Sequence, residues 1–155
     1  MALLKFRPVA SWSDRLVFAL LLALCIPAFT LFLGVVPFIG DEGIRAMVAL
    51  EMQWSGDYLV PTLNGDWYGN KPPLYNWILV GVHQLFGGAG EIPSRACTLF
   101  FLSAYTLSVW YVVRRYFDRV TAFALALMLP TCGRILFWDS MVGLIDICFS
   151  WVIWL

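Results

Sequence analysis

The chain has 155 residues, of which 61% are hydrophobic and 13% are charged, and its ten basic and ten acidic residues cancel at pH 7. Its mean hydropathy is +0.80. These values exclude an ordinary soluble domain and predict an integral membrane protein. The balanced charge gives no indication of a nucleic-acid partner, whereas membrane lipids are expected neighbours.

Long apolar runs predict an all-α fold of several transmembrane helices. Residues 16–39 carry no charge over about 24 positions, more than the roughly 20 that a spanning helix needs, and we interpret them as an uncleaved signal anchor. Further spans are predicted at 96–113, 120–138 and 141–155. Because a helix that ended within the bilayer would leave carbonyls unsatisfied, we expect the chain to be the N-terminal fragment of a longer protein.

The basic residues predict the orientation. Six of the ten flank the inner ends of the predicted spans, and the short loop 114–119 is especially basic. The positive-inside rule then places the N-terminus in the cytoplasm and residues 40–95 outside, as in a multi-pass protein of a bacterial-type plasma membrane.

The outer segment, residues 40–95, is predicted to fold against the membrane surface. A helix over 42–54, capped by Asp41, should lie in the interface with its apolar side toward the bilayer. Asn64-Gly65 predicts a tight turn between 58–60 and 67–68. Pro72-Pro73 predicts the start of a second helix, Leu74 to Phe86, which is too short to span the bilayer.

Three charged residues of this region have both a structural and a functional interpretation. Lys71 opposes the helix dipole, but its position becomes favourable once a phosphate binds at the helix end; otherwise it is simply solvated. Asp41 can be a helix cap only, and Glu42 can merely complement the dipole. Asp146 stands among apolar residues, where a carboxylate costs about 2.5 to 3.5 kcal/mol and normally faces a partner or a wet cavity. Arg134 and Asp139 are its candidate partners, or simple interface anchors.

The order of short motifs carries a family resemblance. The segments 41–47, 55–61 and 63–65, followed by Lys71-Pro72-Pro73-Leu74-Tyr75-Asn76-Trp77, resemble the first outer loop of the ArnT-like and protein O-mannosyltransferase-related membrane glycosyltransferases. These enzymes have the GT-C fold and take a sugar from a polyprenyl-phosphate carrier. The resemblance extends over nearly the whole chain.

The resemblance implies an inverting sugar transfer, at the outer membrane face, from a polyprenyl-phosphate-linked donor to a lipid or protein acceptor. It implies that Asp41 is the catalytic base and that Asp146 is a second acidic residue at the same cavity. Lys71 and Arg45 are the implied ligands of the donor phosphate. The implied supporting residues are Glu42, Asn70, Tyr75 and Arg134.

No cofactor is required by the sequence. The ArnT-like enzymes usually carry a glutamate, associated with metal binding, immediately before the lysine, and this chain has Asn70 there. An asparagine can offer a carbonyl to a hard cation but lacks the charge that holds a divalent ion firmly. A divalent metal is therefore an optional cofactor, with Asn70 as its candidate ligand.

Two other classes of function are open at this stage. A piece of a transporter would place acids near helix ends, but it should also carry polar residues midway through a span, and 16–39 has none. A non-catalytic membrane scaffold would explain the short length, yet it has no evident need for Asp41, Lys71 and Asp146 together. As a fragment, the chain alone is expected to be inactive.

Overall fold

The computed structural model describes residues 12–31, 33–139 and 142–155. The described chain is mostly helical, with one two-stranded antiparallel hairpin. The elements are α1 (Trp12–Thr30), α2 (Asp41–Ser55), β1 (Thr62–Leu63), β2 (Asp66–Trp67), α3 (Leu74–Phe86), α4 (Glu91–Val113), α5 (Arg119–Thr131), a π-helical segment (Ile135–Asp139) and α6 (Asp146–Trp154).

The two short outer helices form where the sequence predicts them. The second has the predicted bounds and ends at Gly87, whose φ of 78° is readily adopted by glycine. Asn64 and Gly65 both have positive φ and form the hairpin turn. The strands lie closer to this turn than predicted, and Thr62 pairs with Trp67.

The predicted spans are only partly reproduced. Among the described residues, α4 is the one helix whose length and apolar composition suffice to cross a membrane. The predicted span 16–39 includes residue 32, which lies outside the described residues, and α1 ends at Thr30. The predicted span 120–138 is interrupted because α5 ends directly after Pro130, which has no amide hydrogen to donate. The multi-span arrangement therefore stays a prediction.

The predicted last span, 141–155, is also shorter in the structure. Residue 141 lies outside the described residues, and the helix itself begins only at Asp146.

The apolar side of α2 packs inside the protein. Val48 and Met52 are buried together with Leu79 of α3 and Leu102 of α4. This packing supplies much of the stability of two helices that would be marginal in isolation. A second, smaller cluster near the other end of α4 stacks the aromatic rings of Phe18, Trp110 and Phe123.

A buried ion pair joins the starts of α2 and α4. Arg95 and Glu42 are 1% and 0% exposed, and they meet through two hydrogen bonds of 2.8 and 2.9 Å. Arg95 donates its other three N–H groups to backbone carbonyls of the segment that follows α1, namely Leu33, Val36 and Pro37. All five donors of the guanidinium are therefore satisfied.

The carboxylate of Glu42 is satisfied equally fully. Besides Arg95, its oxygens accept hydrogen bonds from the backbone N–H groups of Ile39, at 3.1 Å, and Gly143, at 2.8 Å. The pair thus ties the segment after α1, the start of α2, the start of α4 and the segment before α6 into one unit. Such complete pairing offsets the large cost of removing two charges from water.

A second carboxylate anchors the hairpin. Glu51 of α2 accepts hydrogen bonds from the Thr62 hydroxyl, at 2.6 Å, and from the backbone amides of Asn64 and Gly65. These bonds, the one from Thr62 above all, hold the pKa of Glu51 below its ordinary value.

We expect Arg95→Met to lower the free energy of unfolding by about 3 to 5 kcal/mol, because it leaves Glu42 buried and uncompensated. Denaturant unfolding in detergent micelles measures the loss. The matched control is Arg134→Met, since Arg134 is 76% exposed in its pair with Asp139 and should contribute only about 0 to 1 kcal/mol. Equal losses in the two variants would contradict the assigned role of the buried pair.

We expect the hairpin to loosen in acid. The lowered pKa of Glu51 means that its anchoring is complete above the ordinary value of 4.5 and is lost as the pH falls through the folded-state pKa. Hydrogen-exchange protection of the Asn64 and Gly65 amides should therefore be complete above pH 4.5 and decline as the pH falls below it. In Glu51→Gln the protection should be low at every pH, whereas Glu91→Gln should behave as the natural chain. If protection of these amides in the natural chain does not change with pH, Glu51 does not anchor the hairpin.

Candidate functional site

A cavity of about 220 Å³ lies at the start of α2 and brings the predicted charged residues together. Asp41, Arg45, Lys71 and Asp146 all line it. The rest of the wall is mainly apolar and comes from Ile39, Gly40, Trp138, Val142, Leu144 and Ile145. Both predicted catalytic carboxylates and both predicted phosphate ligands therefore share one cavity, although they lie as far as 105 positions apart in the sequence (146 − 41).

The two carboxylates occupy equivalent places. Asp41 is the first residue of α2 and Asp146 the first residue of α6, and both are exposed. The predicted capping role of Asp41 is wrong, because the cap position belongs to Gly40 and no side chain caps this helix. The sequence predicts Asp146 inside the span 141–155, whereas in the structure it is the first residue of α6. A carboxylate at a helix start is stabilised by the positive end of the dipole, so neither residue needs a buried partner.

Arg45 is the unusual member of the site. It is 1% exposed, yet its two terminal nitrogens have no hydrogen-bond partner among the described residues. Its guanidinium carbon lies 5.8 Å from the centre of the Tyr68 ring, which offers a weak cation–π contact only. A buried cation without a counter-ion is costly, so the arrangement favours an anion in the cavity.

Lys71 supplies a second cation at the same cavity. It is exposed and precedes Pro72 and Pro73, which lead into α3. Together with Arg45 it provides two positive charges at the cavity, where a phosphate carrying one or two negative charges would be attracted.

One wall of the cavity is held by the supporting residues. Tyr75 is buried and donates a hydrogen bond to the carbonyl of Gly143, at 3.2 Å, while Glu42 accepts from the amide of the same residue, at 2.8 Å. A side chain at position 143 would come within 3.0 Å of Ser94, so only glycine fits there without displacement. Tyr75 and Glu42 therefore position the segment that carries Leu144, Ile145 and Asp146.

None of the four predicted supporting residues lines the cavity itself, and two of them, Asn70 and Arg134, also make no hydrogen bond with the described Gly143 segment of its wall. Arg134 pairs with Asp139, at 3.2 Å, and not with Asp146. Asn70 is exposed beside Lys71 but is absent from the cavity wall.

The residues present do not fit a divalent metal. Among the described residues, no group of three or more His, Cys, Asp or Glu side chains is arranged to hold an ion. The cavity also carries Arg45 and Lys71, whose charges oppose a bound cation. No chemical step proposed below involves a metal.

Sequence reasoning missed Arg95 and Gly143. In the sequence, Arg95 is one of the four basic residues that do not flank an inner end, and it immediately precedes an uncharged run of 18 residues, 96–113. A charge at that position usually has a partner, and Glu42 was available as the acid at the facing helix start. Gly143 carried no signal, because its role depends on Ser94 and Glu42 being close in space.

Comparisons with known proteins identify the family of the chain. A family model described as dolichyl-phosphate-mannose-protein mannosyltransferase matches residues 70–154, more than half of the 155. The undecaprenyl phosphate-alpha-4-amino-4-deoxy-L-arabinose arabinosyl transferase of Shewanella sediminis is 27% identical over 135 residues, which cover 79% of this chain and 24% of that protein. An uncharacterized protein of Aquifex aeolicus is 29% identical over 90 residues, 58% of this chain and 21% of that protein.

No solved structure matches the chain. The chain spans about a quarter of the length of the curated relatives that it matches. The family match and the Shewanella relative confirm the resemblance that the sequence motifs predicted. The chain belongs to the dolichyl-phosphate-mannose-protein mannosyltransferase family.

Proposed function

We propose that this chain forms part of the active site of a membrane glycosyltransferase. The enzyme would transfer a sugar from a polyprenyl-phosphate-linked donor to a hydroxyl or similar group of a lipid or protein acceptor at the outer membrane face. The observation that carries the proposal is the cavity shared by Asp41, Arg45, Lys71 and Asp146. Family membership supplies the reaction class, and the cavity supplies residues suited to it.

Asp41 is the proposed base. Its exposed carboxylate at the cavity accepts the proton of the acceptor as the acceptor oxygen attacks the anomeric carbon of the sugar. The bond between that carbon and the donor phosphate oxygen breaks on the opposite side, and polyprenyl phosphate leaves with the bonding electrons. One displacement of this kind inverts the anomeric configuration.

Arg45 and Lys71 are the proposed ligands of the phosphate. The donor is a phosphodiester with one negative charge, and the departing polyprenyl phosphate gains a second as the sugar leaves. Two cations at the cavity stabilise this developing charge more than they stabilise the bound donor, which is the requirement for lowering the barrier. The apolar surroundings of Arg45 strengthen the effect, since water does not screen its charge.

Asp146 is proposed to orient the reactants. Its carboxylate faces the same cavity as Asp41 and can accept hydrogen bonds from hydroxyl groups of the sugar or the acceptor. The carrier groove and much of the acceptor site are proposed to come from the parts of the longer relatives that this chain does not cover. We therefore expect sugar transfer from the complete natural protein and none from this chain alone.

We expect Asp41→Asn to lower sugar transfer about 10²- to 10⁴-fold, the usual contribution of a general base, with little change in protein level. The assay is release of polyprenyl phosphate by the complete natural protein in membranes, from polyprenyl-phosphate mannose and from the corresponding aminoarabinose donor. Asp66→Asn is the matched control, because Asp66 is an exposed aspartate of the same outer segment that does not line the cavity. Retained transfer in Asp41→Asn would refute the base.

We expect Arg45→Met to separate binding from stability. Loss of the phosphate ligand should lower kcat/KM for the donor about 10²- to 10³-fold. The thermal midpoint should stay constant or rise, because the substitution removes a buried charge without a partner among the described residues. If the midpoint instead falls as far as in Arg95→Met while donor use is unchanged, Arg45 is structural and not a phosphate ligand.

A further inference from the structure

A second and larger cavity lies along most of the length of α4, from Ala96 to Tyr111. It is a groove of about 750 Å³ between α1 and α4, closed in part by α5. Its wall is almost wholly apolar or aromatic. The lining includes Phe18, Ala23, Ser103, Leu107, Trp110 and Pro130. It shares no lining residue with the charged cavity described above.

One end of this groove is strongly basic. Arg15 lines it directly, and the guanidinium groups of two further arginines lie over the rings of two wall residues. Arg114 lies 5.2 Å from the ring centre of Trp110, and Arg115 lies 4.5 Å from that of Tyr111. One arginine therefore lines this end of the groove, and two more lie against its wall residues.

We propose that this groove binds one phospholipid with an anionic headgroup. Its acyl chain lies along α4, and its headgroup lies among Arg15, Arg114 and Arg115. Apolar walls with cations confined to one end match the amphiphilic character of such a lipid. The basic end is separated from Arg95, beside the charged cavity, by about 22 Å along α4, so this lipid would sit in the opposite leaflet. Under the predicted orientation that is the cytoplasmic leaflet.

The basic end of the groove favours an anionic lipid over a further helix of a longer protein. A volume of about 750 Å³ is within the usual range for a ligand cleft, about 300 to 1,000 Å³. Three arginines at one end also select for a phosphate and not for an apolar helix face.

The test is native mass spectrometry of the complete natural protein, delipidated and then titrated with phosphatidylglycerol or phosphatidylcholine. We expect the first phosphatidylglycerol to bind about fivefold more tightly than phosphatidylcholine, the effect of roughly one effective charge contact. Replacing Arg15, Arg114 and Arg115 by glutamine should make the two lipids equal. Ser103→Trp, which fills the groove and keeps the arginines, should weaken both lipids several-fold, and Leu107→Phe serves the same purpose if the first variant does not fold.

Arg134→Gln is the control, because it removes an exposed arginine that does not line the groove. It should leave the binding of both lipids unchanged. Equal binding of the two lipids by the natural protein would overturn the proposal. A preference for phosphatidylglycerol that persists in the groove-filling variant would also overturn the proposal. The lipid would then be held only at the protein surface, or another helix would already occupy the groove.

Discussion

The buried pair of Glu42 and Arg95 determines where four segments of the chain meet. Every donor of the arginine and every acceptor position of the glutamate is used, so the two charges satisfy each other and four backbone segments at once. Removing one partner would leave not only a bare charge but also several backbone groups without hydrogen bonds. The position of the charged cavity, formed by the start of α2 and the segment before α6, follows from this arrangement.

The two buried arginines differ in whether their guanidinium groups have hydrogen-bond partners. Arg95 has five hydrogen bonds within the chain, whereas the terminal nitrogens of Arg45 have none among the described residues. Both are 1% exposed, so burial alone does not distinguish structure from binding. Their hydrogen bonds do distinguish the two. A buried charge whose hydrogen bonds are all made stabilises the fold, whereas one without partners has an energetic cost that a bound anion can offset.

Local signals predicted the outer segment well and the long helices poorly. Pro72-Pro73 before α3, Gly87 after it and Asn64-Gly65 in the hairpin act over a few residues, and each was interpreted correctly. The bounds of α1 depend on interactions far along the chain, because the carbonyls of Leu33, Val36 and Pro37 leave the helix pattern to bind Arg95. The number and spacing of apolar residues over 16–39 do not reveal these hydrogen bonds.

The candidate site was also predictable from the sequence only in part. Motif order singled out Asp41, Arg45, Lys71 and Asp146, and the structure places all four at one cavity. It could not predict that Asp146 begins a helix, since this depends on the segment from Val142 to Ile145 being held against Glu42 and Tyr75. Composition likewise favoured a lipid-facing side for α2, but Val48 and Met52 pack against other helices. Hydrophobicity predicts burial without indicating which surface provides it.

The adjacency of Asp41 and Glu42 links stability to the proposed chemistry. Consecutive residues at a helix start point about 100° apart, so one carboxylate can face the interior while its neighbour faces the cavity. Glu42, fixed by four hydrogen bonds, leaves the backbone of Asp41 little freedom. A general base must stay within hydrogen-bond reach of the proton that it accepts, and small displacements are costly in rate. The pair therefore holds in place the exposed carboxylate that we propose as the base.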